Sequence, residues 1–227
     1  MNGNAGAAEG DRVSTSNSER PLVPAQSDAT PPAAGPSDDA RDAAFRLLPG
    51  PGGNPALDRL ASLAARLLSC PAAQVSLLTA TQVVAGGVGL ADGARDGGAL
   101  NDSLCTVTAA SGGPLVVSDA RADDRVAELP PVVAGVVGAY LGVPLVSTAG
   151  PVVGSLCVFD PQPHSWTAYD VALLEQLSGS VMAELELAAL STDYENSRQR
   201  WDTALEAAGI GSFDWDLRTG QIGRAHV

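Results

Sequence analysis

Between Ala139 and Trp166 the chain reads AYLGVPLVSTAGPVVGSLCVFDPQPHSW. Two apolar runs, 140–146 and 152–159, flank the turn formers Ser147, Thr148, Ala149, Gly150 and Pro151, and that spacing predicts a β-hairpin. Side chains alternate along a strand. In the second run Val153, Cys157 and Phe159 are therefore expected on one face, with Val152, Leu156 and Val158 on the other. Both sets are apolar. A sheet with one wet face would carry a polar residue at every second position. The hairpin is thus expected in the middle of a sheet covered on both faces.

The flanking segments supply the covering layers. Residues 57–69 place Leu57, Leu60, Ala61, Ala64, Leu67 and Leu68 on one side at helical spacing, with Asn54 as a cap and Pro55 in the first turn. Strands are expected at 74–79 and 82–88, joined at Ala80 and Thr81. Gly86, Gly87, Gly89 and Gly93 fit neither a dinucleotide fingerprint nor a phosphate loop, and read as a flexible strand end. A helix over 103–110 with Asp102 or Ser103 as N-cap, a strand at 114–118 and a polar helical segment over 119–129, stopped by Pro130 and Pro131, complete the middle. The longest helix is expected over 167–207, capped by Ser165 or Thr167 with Asp170 in its first turn.

Gly142, Val143, Pro144 and Leu145, then Gly154, Ser155, Leu156, Val158, Phe159 and Asp160, then Trp166 and Asp170, resemble in order and spacing the C-terminal half of a GAF domain. The earlier run from Asp102 to Arg125 resembles the middle of the same family. GAF domains are small cytoplasmic sensor and dimerisation modules. The resemblance implies an α+β fold over residues 46–190, a mostly antiparallel sheet with helices on both faces. It also implies an unidentified small-molecule ligand in a cavity bordered by Cys105, Asp119, Arg121, Asp124 and Arg125. Charge alone reads the last four as a solvated helix face with an N-cap at Asp119.

Composition narrows the function. The net charge is -13, and all 13 basic residues are Arg. No basic patch stands ready to neutralise phosphates, so nucleic-acid binding is not expected. No run of about 18 apolar residues or signal pattern occurs, so neither a membrane anchor nor secretion is expected. Three cysteines in no paired motif fit a reduced cytoplasmic setting. Cys105 would gain reactivity if it opens a helix, but core packing is the reading for both Cys105 and Cys157. His164 and His226 have no partners at ligand spacing, so no metal site is expected. Cys105 is followed by Thr106, not the His of bilin-attaching GAF domains. The cyclic-nucleotide signature needs a Lys the chain lacks, no haem ligand is indicated, and no nucleophile–base constellation predicts a catalytic site.

The ends carry different expectations. Residues 1–45 are rich in Ala, Gly, Pro and Ser with little apolar clustering, and are expected to be a disordered tail. Within the long helix Leu187, Tyr194 and Trp201 recur every seven residues with Leu190 between, and Ser197 breaks the second row. This short heptad pattern over a 191–208 linker predicts a parallel homodimer. Residues 209–221, with G-I-G-S-F-D-W-D-L, resemble the first strand of a PAS domain. The GAF–linker–PAS order resembles actinobacterial regulatory phosphatases of the sporulation-protein-E type, which implies a metal-dependent protein serine/threonine phosphatase as output. Sensor histidine kinases, diguanylate cyclases and stand-alone interaction modules share such a front end. Residues 222–227 match one translation of a sequencing adapter and are expected to be read-through.

Overall fold

A computed structural model describes residues 35–50, 53–91, 93–208, 214–216, 218–219 and 221–223. Residues 1–34 of the disordered tail expected over 1–45, and residues 224–227 of the read-through expected over 222–227, His226 included, lie outside the described residues.

Five strands form one antiparallel sheet in the order β2-β1-β5-β4-β3: β1 (Ala72–Leu78), β2 (Gln82–Val88), β3 (Leu115–Val117), β4 (Ala139–Val146) and β5 (Val152–Asp160). The β4–β5 hairpin stands inside the sheet, flanked by β1 and β3. One face is covered by α1 (Asp38–Arg46), α2 (Pro55–Leu67) and the start of α5 (Ala168–Ala207), around Leu57, Leu77, Leu141, Leu145, Leu156 and Leu174. The other is covered by α3 (Leu104–Ser111) and by the β3–β4 connection, which contains the four-residue helix α4 (Pro130–Val133). In a separate pair, β6 (Asp214–Asp216), within the run read as PAS-like, lies antiparallel to β7 (Gln221–Gly223), whose last two residues were expected to be read-through.

The local chemistry explains the boundaries. The Asn54 side chain accepts from Ala56 N at 2.9 Å, and Pro55 fills the first helical turn, where a missing N–H costs nothing. Ser103 caps α3 by accepting from Cys105 N at 3.1 Å. Thr167, not Ser165, caps α5 in a reciprocal box. Its hydroxyl accepts from Asp170 N at 3.2 Å, and Asp170 accepts from Thr167 N at 2.8 Å.

Several expectations are corrected. The disordered tail is expected to reach residue 45, yet α1 begins at Asp38 under a Ser37 cap and buries Ala40 and Ala44. Its small residues fit against β1 and β5 without large side chains to announce them. Val153 joins Leu156 and Val158 rather than Cys157. The pairing skips it between Leu145↔Gly154 and Val146↔Val152, and such an irregularity reverses the face of the residue it displaces. Residues 119–129 form successive turns, not a helix. Asp119 Oδ1 accepts from Arg121 N and Asp123 Oδ1 from Arg125 N, both at 3.1 Å, and these local bonds compete with helical ones. Pro130 starts a helix instead of ending one. The glycines of β2 are packed rather than loose. A Cβ on Gly86 would run into Leu57, so Gly86 is what lets α2 lie close on β2.

The outer strands are closed off by side chains. On β2, Gly87 N donates to Asp58 Oδ1 at 2.8 Å and Gly87 O accepts from Arg95 Nη2 at 2.7 Å. On β3, Val117 O accepts from Trp166 Nε1 at 2.9 Å and Val116 O from Arg125 Nη2 at 3.1 Å. Such contacts occupy the unpaired groups that would otherwise template another strand.

Candidate ligand cavity

The face under α3 does not pack shut. A cavity of about 380 Å³ lies between the sheet, the start of α3, the loop after β2 and the β3–β4 connection. Its walls are largely apolar, with Leu90, Leu104, Val136, Val137 and Phe159 among them. Pro71, Ala91, Ala94, Asp102, Val136 and Pro161 line it and are exposed, so it opens to solvent at that rim.

Polar groups gather on its floor because of strand register. Gln74, Cys157 and Gly142 lie side by side across β1, β5 and β4, all facing α3. The Tyr140 ring leans over Gly142, where any Cβ would strike it. That position carries the Gly of the GAF-like motif for a steric reason. The Tyr140 hydroxyl lies 2.8 Å from Thr108 Oγ1. Thr108 spends its own proton on Leu104 O at 3.0 Å, so Tyr140 is the donor to Thr108. Burial pushes the Tyr140 hydroxyl pKa well up, and the phenol stays neutral.

Cys105 sits at the junction of these groups. Its Sγ lies 3.4 Å from Ser76 Oγ, 3.7 Å from Gln82 Nε2, and 4.0 Å from both Cys157 Sγ and Tyr140 Oη. Ser76 Oγ already accepts from Gln74 Nε2 at 2.6 Å and Gln82 Nε2 at 3.0 Å. Its own proton therefore remains available to the sulfur once Cys105 ionises. The hydrogen bond from Cys157 draws the Cys105 thiol pKa down against the burial that raises it, with Ser76 and Ser103 assisting. The same bond, together with burial, pushes Cys157 well up. The shared bond thus displaces the two thiols in opposite directions.

Of the five sequence-derived pocket candidates, Cys105 lines the cavity. Asp119, Arg121, Asp124 and Arg125 are exposed and do not line it. Arg125 is bound to Asp123 at 2.6 Å and to the β3 edge, which ties the connection to the sheet. That ion pair holds the Asp123 carboxyl below its usual value. Gln74, Ser76, Gln82, Thr108 and Tyr140 were missed by sequence reasoning. The available signal was Gln74 and Ser76 alternating with Val75 and Leu77 in the strand expected at 74–79.

His164 stacks on Trp166 with ring centroids 4.2 Å apart, and its backbone N–H donates to Ser118 O at 3.0 Å. Among the described residues no group of three or more His, Cys, Asp or Glu could hold a metal ion. Among them, too, no helix is long and apolar enough to cross a membrane.

The fold and its cavity define a small α+β sensor-type domain. The chain belongs to the GAF domain family, whose model matches residues 54–185. GAF domains are sensory and regulatory units of signalling proteins. The GAF domain of the Acinetobacter phosphoenolpyruvate-protein phosphotransferase is 16% identical with a TM-score of 0.53, over 69% of this chain and 99% of that one. The corresponding domain from Coxiella burnetii is 16% identical with a TM-score of 0.54, over 68% and 94%. The free methionine-R-sulfoxide reductase from Neisseria meningitidis is 16% identical with a TM-score of 0.50, over 67% and 87%. At these identities the likeness is one of fold. No curated protein matches the sequence.

Proposed function

We propose that the chain is the sensory input region of a cytoplasmic bacterial signalling protein, in which the state of the cavity biases a helical linker. The observation that carries this reading is the division of α5. Leu174, Val181, Met182 and Leu185 of its first half are buried against the sheet, whereas Leu187, Leu190, Tyr194 and Trp201 are 64–70% exposed. One continuous helix thus joins the sensor domain to a row of exposed apolar side chains. A second copy of the same helix would cover that row, and a shift of α5 on the sheet would be passed along it.

The finer assignment follows the resemblance. Residues 46–190 act as sensor, 191–208 as linker and 209–221 as the start of a PAS domain, ahead of a metal-dependent protein serine/threonine phosphatase. Support comes from the order of the motifs along the chain. Asp-Gly motifs on paired strands of the parent protein would support this output, and a nucleotide-binding kinase domain would refute it. Sedimentation of the chain and of an L190D/W201D variant tests the linker. The parent should be a dimer and the variant a monomer of unchanged helicity. A parent that stays monomeric at high concentration refutes the shared-helix reading.

A further inference from the structure

The floor of the cavity holds two thiols in mutual contact, and packing alone does not require them there. Cys105 and Cys157 are buried, unbridged and 4.0 Å apart, and both line the same solvent-reached space. Around Cys105 Sγ converge the Ser76 hydroxyl, whose lone pairs are occupied by two amides, the Gln82 amide and the Cys157 thiol. These groups can donate to a Cys105 thiolate, the nucleophilic form, once the thiol releases its proton. Cys70, the third cysteine, donates to Leu68 O at 3.5 Å and lies in the core on the opposite face, away from the cavity.

We propose that Cys105 and Cys157 form a two-thiol site that reduces a small organic hydroperoxide admitted to the cavity and closes into a disulfide. The Cys105 sulfur attacks the terminal oxygen of ROOH and the O–O bond breaks. The departing alkoxide takes the proton released by Cys105 and leaves as ROH, with Cys105 as the sulfenic acid. The Cys157 sulfur then attacks the Cys105 sulfur, and the S–O bond breaks. Hydroxide leaves with the Cys157 proton as water. Two thiols are oxidised and one hydroperoxide is reduced to one alcohol and one water. The sulfurs must close by about 2 Å to reach bonding distance, and the cavity beside them provides the room. The opposite displacement of the two thiol pKa values fits the roles of attacking and resolving sulfur. The apolar walls favour an organic group over hydrogen peroxide. This deepens the cavity reading, but the thiol chemistry is read directly on the sulfurs, so its failure is distinguishable from failure of the linker relay.

The test exposes the reduced full chain to one equivalent of cumene hydroperoxide, or of hydrogen peroxide, and follows thiol loss and peptide masses. The expected result is loss of two thiols, a linked pair of peptides carrying Cys105 and Cys157, and a free Cys70. C105S should react roughly tenfold or more slowly. C157S keeps the attacking sulfur and should stop at a sulfenic acid that dimedone traps. An unreactive parent, oxidation at Cys70 alone, or a C105S variant as fast as the parent overturns the proposal. Faster reaction with hydrogen peroxide than with cumene hydroperoxide overturns the organic substrate class.

Discussion

The two faces of the sheet are built from the same strands but to opposite ends. Towards α2 and α5, Val75, Leu77, Leu141, Val143, Leu156 and Val158 interlock with helix side chains and leave nothing polar exposed to the core. Towards α3, the alternate positions of those strands carry Gln74, Ser76, Tyr140, Gly142, Ser155 and Cys157. The first face stores stability, because close-packed apolar side chains lose much when trimmed. The second keeps a cavity and a hydrogen-bonded floor, which stabilise less but can respond to what enters. Neighbouring residues on β5 therefore differ in kind, and substitutions one residue apart can test the division.

Leu156→Ala should have the largest effect. Leu156 is fully buried between Val143 on β4 and Val75 on β1, and its removal leaves a hole under the helices. The expected cost is about 2–5 kcal/mol in denaturant unfolding. Cys157→Ala, one residue on, removes a smaller group from the wall of an existing cavity and should cost about 1 kcal/mol or less. Equal costs would erase the distinction between the faces. Between them lies Gly142→Ala. Its methyl would press on the Tyr140 ring, and overpacking of that kind costs about 1–3 kcal/mol. The strain should also loosen the Tyr140 ring, seen as a weaker near-ultraviolet circular-dichroism signal. No loss of stability would show that the ring is not fixed over Gly142.

The same contrast governs what could be read from the sequence. The dry face was legible because its alternation is strong: Leu156 and Val158 on β5, and Leu57, Ala61 and Ala64 on α2, mark a period that only burial explains. Asn54, Ser103 and the Thr167–Asp170 box were legible because caps depend on a few adjacent residues. The cavity floor was not. Its register brings together residues as far apart in the chain as Gln74 and Cys157, and no local pattern records a contact between strands. The β3–β4 connection misled for a local reason. Asp119 and Asp123 look like residues of a polar helix, but their carboxylates bond the backbone two residues on and turn the chain instead. Val153 misled because one skipped position in the ladder is invisible to strict alternation.

The smallest effect expected belongs to the dry face and appears only in alkali. Burial, followed by the charges of Asp160 and Asp170, pushes the Cys70 thiol from 9.0 up to about 12. The folded protein therefore keeps this proton where the unfolded chain has lost it. The contribution is fully present below about pH 9 and is lost as the pH rises towards about 12, because ionisation then draws the unfolded state downhill. Replacing Cys70 by Ala removes the group that titrates. The parent should lose stability more steeply than C70A across that window, while the two curves run parallel below it. Thiols on the cavity face would behave differently, since Cys105 is drawn down and Cys157 pushed up by the bond they share. Unfolding midpoints of parent and C70A that stay parallel through the alkaline range would mean that Cys70 is not shut away from water. The boundary between the closed face and the responsive one would then have to be redrawn at the end of α2.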